Sequence, residues 1–145
     1  MNEKKFLYRA MSVHQREWIF GSPVEVYGGK VVIIPSTYFT RLHNDGTVHA
    51  RSVVCDTGTL GQYIGRSDSF GSDIFDNDII TVNGRYPKLV RFIPSKCSFC
   101  FANIDNLCNE RFWDIWQQPD EDWWRDMEIK VIGNIFDNSE LLKHE

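Results

Sequence analysis

Asp73-Ile74-Phe75-Asp76-Asn77-Asp78-Ile79-Ile80-Thr81-Val82-Asn83-Gly84 contains two turns and the strand between them. Asp76-Asn77 sits just before the apolar Ile79-Ile80, the layout of a tight turn that opens a strand, with carboxylates placed to bond turn amides. Asn83-Gly84 then separates Ile74 to Val82 from Lys88 to Ile93. Asn and Gly tolerate the left-handed backbone that a two-residue hairpin connection demands, so these segments are read as an antiparallel pair.

The same signals recur on either side. Gly28-Gly29 joins Val24 to Tyr27 with Lys30 to Ile34, where Pro35 ends the run, and Asn44-Asp45-Gly46 joins Tyr38 to His43 with Thr47 to Cys55. Phe6 to Ala10 and Trp18 to Phe20 are two further short strands around a polar loop. Glycines at 58, 61, 65 and 71 mark loops and strand bends. Cys97 to Ile104 alternates with period two, which predicts a half-buried strand with Cys97, Phe99 and Phe101 on one face. The period changes at Phe112, Ile115 and Trp116, and with Asn109 as cap this predicts a short helix over Asn109 to Trp116. Gly133-Asn134 inside the apolar run from Ile129 to Ile135 predicts a bulge. Asn138 to Leu142 offers a final helical turn. The expected class is mainly β with small α elements, built from antiparallel hairpins.

Composition narrows the function classes. A chain of 145 residues with 42% hydrophobic residues can bury a core without staples. Its formal net charge of -4 gives no global field for phosphates, so nucleic acid is not the expected partner. The start lacks the apolar core of a signal peptide and no run is long enough for a membrane span, which predicts a soluble, intracellular protein. In that compartment Cys55, Cys97, Cys100 and Cys108 are expected as free thiols.

Three blocks carry a family resemblance: Gly61-Gln62-Tyr63-Ile64-Gly65, then Asp73 to Ile80, then Val131-Ile132-Gly133-Asn134-Ile135-Phe136-Asp137-Asn138 ahead of Glu140-Leu141-Leu142. In order and spacing they resemble the YopX-like family of bacteriophage and prophage proteins, and Tyr8-Arg9-Ala10 and Glu17 to Ser22 resemble its opening. Asn77 replaces the usual glycine of the family pattern, and Ser139 replaces a proline. The acidic, Trp-rich segment Phe112 to Asp126 has no counterpart. The resemblance implies one domain over 1–145, subdivided near 57–60 into an N-terminal hairpin region (1–58) and a barrel-like region with short helices (59–145). It implies a small β-barrel, a homo-oligomer, and a place in the cytoplasm of a bacterial host cell. It brings no activity, so no catalytic residue and no cofactor is carried over.

Apparent sites fail on spacing or partners. Cys97-Ser98-Phe99-Cys100 lacks a second pair or a nearby His to complete four zinc ligands. Asp68, Asp73, Asp76 and Asp78 do not follow the order of a calcium loop and are expected as solvated turns. Gly58 to Gly71 is no phosphate loop. His43 and His49 flank one hairpin, with Cys55 or Asp45 in reach, but proximity is all that suggests catalysis. The favoured expectation is a non-enzymatic accessory protein that works by self-association and by binding phage or host proteins. Trp113, Trp116, Trp123 and Trp124 are its candidate interface, because tryptophan is enriched at binding hot spots. The first alternative is a small-barrel nucleic-acid-binding module using Tyr63, Arg66, Tyr86, Lys88 and Arg91. The second is an unrecognised enzyme using His43, His49 or Cys55.

Overall fold

Positive backbone angles fall where the sequence asks for them. In the computed structural model, Gly28 and Gly29 have φ of 90° and 75°, and Asn83 and Gly84 have 53° and 72°. The structure describes residues 7–36, 41–103, 115–116 and 120–142, with backbone alone at 41, 42, 48, 86, 103, 115 and 116. The chain divides into two compact units, Met1–Tyr63 and Ile64–Glu145.

The first unit is an antiparallel sheet of β1 (Tyr8–Met11), β2 (Trp18–Val26), β3 (Lys30–Pro35), β6 (Val53–Cys55) and the start of β7 (Gly61–Ser67), in the order β6-β3-β2-β1-β7. The two aromatic and valine-rich runs expected as separate strands are one nine-residue strand, β2. Its partner β3 pairs from Val26↔Lys30 to Gly21↔Pro35, so the glycine turn encloses three residues, Tyr27 to Gly29. The next hairpin is shorter than expected: β4 (Arg41–Leu42) and β5 (Val48–His49) pair alone, and Tyr38 to Thr40 lie outside the described residues. The expected strand Thr47 to Cys55 breaks after His49, because Val53–Cys55 pairs with β3 instead of β4. An isolated bridge, Ser12↔Cys55, ties the outer edge of β6 to the residue after β1. Ala10, Ile33 and Cys55 form the core, with Ile19, Val53 and Leu60 against it.

The second unit holds the end of β7, β8 (Asp73–Phe75), β9 (Asp78–Val82), β10 (Arg85–Ile93), β11 (Ser98–Asn103), β12 (Ile115–Trp116), α1 (Glu121–Asp126) and β13 (Ile129–Asn134). β7 neighbours β8, and the larger sheet runs β12-β11-β10-β9-β13, antiparallel throughout. Among the described residues these pairings do not close a barrel.

The expectation of a half-buried β11 is corrected. Phe101 packs with Ile74, Ile80, Val82, Val90 and Ile129 on one face, while Cys100 and Ala102 pack with Ile79 and Leu89 on the other. The doublets Ile79-Ile80 and Leu89-Val90 are thus buried on both sides, as central strands covered on two faces must be. Trp123, Trp124 and Met127 cover the first face, and Ile132, Ile135, Leu141 and Leu142 cover the second. The helix expected over Asn109 to Trp116 is also corrected where it can be followed: Ile115–Trp116 is a strand paired to Phe101 and Ala102. Asn109 to Asp114 lie outside the described residues. Among the described residues the α-helix is α1, whose N-cap Asp120 accepts from the Trp123 amide at 2.9 Å.

Candidate functional site

The two most distinctive sequence blocks meet in one hydrogen-bonded knot within the second unit. Asn77 adopts φ 74°, the left-handed conformation that its glycine-like position requires. Its N–H donates to the Val90 carbonyl at 2.9 Å and its carbonyl accepts from Ile135 N–H at 3.1 Å. Its Oδ1 accepts from Arg91 Nη1 at 2.8 Å. Asp76 Oδ1 accepts the Phe92 amide at 3.2 Å, and buried Asp78 accepts the Phe75 amide at 2.8 Å. In the other block, Asn134 Oδ1 accepts from the amides of Phe136 and Asp137, both at 2.9 Å. Asn138 Oδ1 returns to the Asn134 amide at 3.2 Å. Gly133 is needed there because a Cβ would lie 2.9 Å from Asn138 Cβ. The register shift between Val131 and Gly133 is the expected bulge. Most of these bonds go to turn and strand amides, which is architectural work, while the Asn77–Arg91 bond joins side chain to side chain.

Asp68 corrects the expectation of solvated turns most sharply, being 9% exposed. Its Oδ1 accepts from the Phe70 and Ser72 amides at 2.9 and 2.8 Å, and its Oδ2 from the Val131 amide at 3.0 Å. Ser69 adds two bonds to the same edge of β13: its N–H donates to the Ile129 carbonyl and its Oγ accepts the Ile129 amide, both at 2.8 Å. The turn therefore seals strand groups that would otherwise invite another chain.

The remaining candidates disperse. Trp123 and Trp124 meet edge to face at 5.4 Å and reach the Phe101 ring at 6.0 and 5.6 Å, with the Arg66 guanidinium 4.8 Å over Trp124. Trp113 and the side chain of Trp116 lie outside the described residues. Of the nucleic-acid set, Lys88 is 3% exposed, Arg91 is bonded to Asn77, and Arg66 pairs with Glu121. Tyr63 is half-buried in the first unit and the Tyr86 side chain is outside the described residues. His43 and His49 do meet, ring centroids 4.3 Å apart, while Asp45 is engaged by the Thr47 amide and hydroxyl. Among the described residues no three His, Cys, Asp or Glu side chains are grouped to hold a metal.

Cys55, Cys97 and Cys100 are free thiols, the first and last buried. Burial pushes the Cys55 thiol above its ordinary value of 9.0. A raised folded pKa means that this contribution to stability is whole below the unfolded value and is lost as pH rises through the folded one. Unfolding by urea should therefore become easier above about pH 9, and Cys55→Val should flatten that limb. An equal slope in the variant would contradict the assignment.

Sequence reasoning missed an apolar sheet face in the first unit. Register places Phe20, Val24 and Val26 of β2 beside Val32 and Ile34 of β3 and Val54 of β6. Four of them are well exposed: Phe20 and Val24 at 42%, Val54 at 39% and Val26 at 38%. The signal was available in Trp18 to Val26, where apolar residues occupy both parities of the strand.

The profile of a family described as YopX protein matches residues 7–143. The chain belongs to the YopX family. A crystal structure of protein EF1440 from Enterococcus faecalis superposes with a TM-score of 0.60 at 18% identity, covering 97% of this chain and 100% of that one. At that identity the likeness speaks for the fold alone. No curated protein is significantly similar in sequence. Two of the three blocks that carry the YopX resemblance, Asp73 to Ile80 and Val131 to Asn138, form the knot just described.

Proposed function

We propose that the protein is a non-enzymatic accessory protein of phage or prophage origin, active in the cytoplasm of a bacterial host, that works by self-association and protein binding. The observation that supports this reading is the exposed apolar face of the first unit, since contiguous apolar surface marks interaction sites. The first occupant is a second copy of the chain. Lys30 is the exposed charged residue that the register puts on this face, so an isologous contact can be offset to keep the two copies of it apart. The family signature supports the non-enzymatic part, because Asp76, Asp78, Asn134 and Asn138 each accept a backbone amide of the turns they sit in or pack on. No described helix is long and apolar enough to cross a membrane.

The test is light scattering behind size exclusion. The wild-type chain, 16.9 kDa, is expected to elute with at least twice that mass. Phe20→Ser combined with Val24→Thr should give a folded monomer. Trp123→Ala should lower thermal stability and leave the mass unchanged. A monomeric wild-type chain at roughly 100 μM, far above the Kd of a stable dimer, would defeat the proposal.

A further inference from the structure

The β2–β3 hairpin ends in an aromatic residue that the fold does not bury. Tyr27 is 104% exposed at the tip of that hairpin, between Val26 and the two glycines. A phenol ring left wholly in water adds nothing to the core, and tyrosine is enriched among the residues that anchor interfaces. The opposite end of the same strand carries a concavity. Where β2 begins, β3 stops and β6 begins lies a cleft of about 500 Å³, the size of a small pre-formed site. Ile19, Pro35 and Val53 give it an apolar wall: Pro35 is buried, and Ile19 and Val53 also pack against the Ala10, Ile33 and Cys55 core. His14, Gln15 and Ser52 are exposed along it and offer bonds to a hydroxyl. An apolar wall with a polar rim suits a tyrosine, which has an apolar body and a polar tip.

The exposed apolar face runs between the two features. Phe20 and Val54, which border the cleft, lie on it with Val24 and Val26, the last of these next to Tyr27. A twofold axis that stacks this face on a second copy must lie in the plane between the two sheets, either along β2 or across it. An axis along β2 sets each hairpin tip on its counterpart, so that Lys30 meets Lys30. An axis across β2 runs the two nine-residue strands antiparallel and brings each tip to the cleft end of the other copy.

The charges select the second arrangement. Lys30, exposed beside Val26 at the tip, is then carried towards the exposed Glu17 of the cleft lining, while Arg51 in the same lining is engaged within its own chain. The two copies of Lys30 end up a strand length apart, roughly 27 Å at ~3.4 Å per residue.

Resting on the self-association proposed above, we infer that the chain forms a dimer whose axis crosses β2 and that Tyr27 of each copy fills the cleft of the other. The cleft is completed by the second copy: its apolar wall takes the ring and its polar rim takes the hydroxyl.

Sedimentation equilibrium of the full chain over a range of concentrations tests this. Tyr27→Ala is expected to raise the dimer Kd at least about tenfold, as loss of an interface anchor does. The thermal midpoint of the dilute monomer should stay unchanged, because this side chain is wholly exposed within one copy. Tyr27→Phe should keep most of the affinity. Lys30→Glu and Glu17→Lys should each weaken the dimer, and the two together should recover most of the loss; were Lys30 to face Lys30, the exchange would restore nothing. A dimeric wild-type chain whose Kd ignores Tyr27→Ala, or whose charge exchange recovers nothing, overturns this geometry and leaves self-association standing. A chain that is monomeric throughout defeats both.

Discussion

Asp68→Ala is expected to destabilise the second unit by about 4 kcal/mol, because three backbone amides lose their acceptor at once and each buried unsatisfied donor costs about 1–3 kcal/mol. The amides are those of Phe70, Ser72 and Val131. Asp68→Asn keeps one carbonyl oxygen and should cost markedly less. The same substitution unseals the edge of β13, so Asp68→Ala should also raise aggregation on warming, a readout that simple loss of a surface carboxylate would not move. Urea unfolding followed by tryptophan fluorescence checks the first effect and light scattering the second. A loss below about 1 kcal/mol would show that Asp68 is solvated in solution, since surface changes stay near that size.

The second large effect belongs to Gly21. A Cβ there would overlap the Ile34 carbonyl, lying 2.8 Å from its carbon and 2.9 Å from Pro35 Cα. Both obstacles are backbone, so relief requires separating β2 from β3 at the Gly21↔Pro35 pair. Gly21→Ala is expected to cost about 3 kcal/mol, the upper range for overpacking. Gly65 is the control, with φ of 95° but open space around its missing Cβ. Gly65→Ala should cost only the left-handed strain of one residue, about 1–2 kcal/mol. If Gly65→Ala proved the more damaging, the close approach of β2 and β3 would be wrong.

What could be read from the sequence follows from the range of each interaction. Gly28-Gly29 and Asn83-Gly84 were legible because positive φ is a local demand that few residues meet. The bulge at Gly133 and the left-handed Asn77 were legible for the same reason. The role of Asp68 was not, since its bond to Val131 spans 63 residues and nothing beside Asp68 announces it. Thr47 to Cys55 has the composition of one strand, yet Val53–Cys55 is claimed by β3, a choice set by tertiary pairing. β11 was judged half-buried from its alternation, but period two cannot reveal that both faces of the sheet are covered. The α1 helix is hard to read because six residues are too few to show an amphipathic period, although Asp120 is its cap. The exposed valines of β2 were hidden for a related reason, since exposure is a property of the whole sheet.

Two blocks of the family signature form a structural knot that joins the Asp76-Asn77 turn to the Gly133-Asn134 bulge. Native-state hydrogen exchange tests this most directly. The amides of Phe75, Asn77, Asn134 and Ile135, each hydrogen-bonded within the knot, are predicted to exchange only through the opening that also releases the core amides of β9 and β10. Exchange of these four at the rate of the exposed Tyr27 to Gly29 turn would contradict the account.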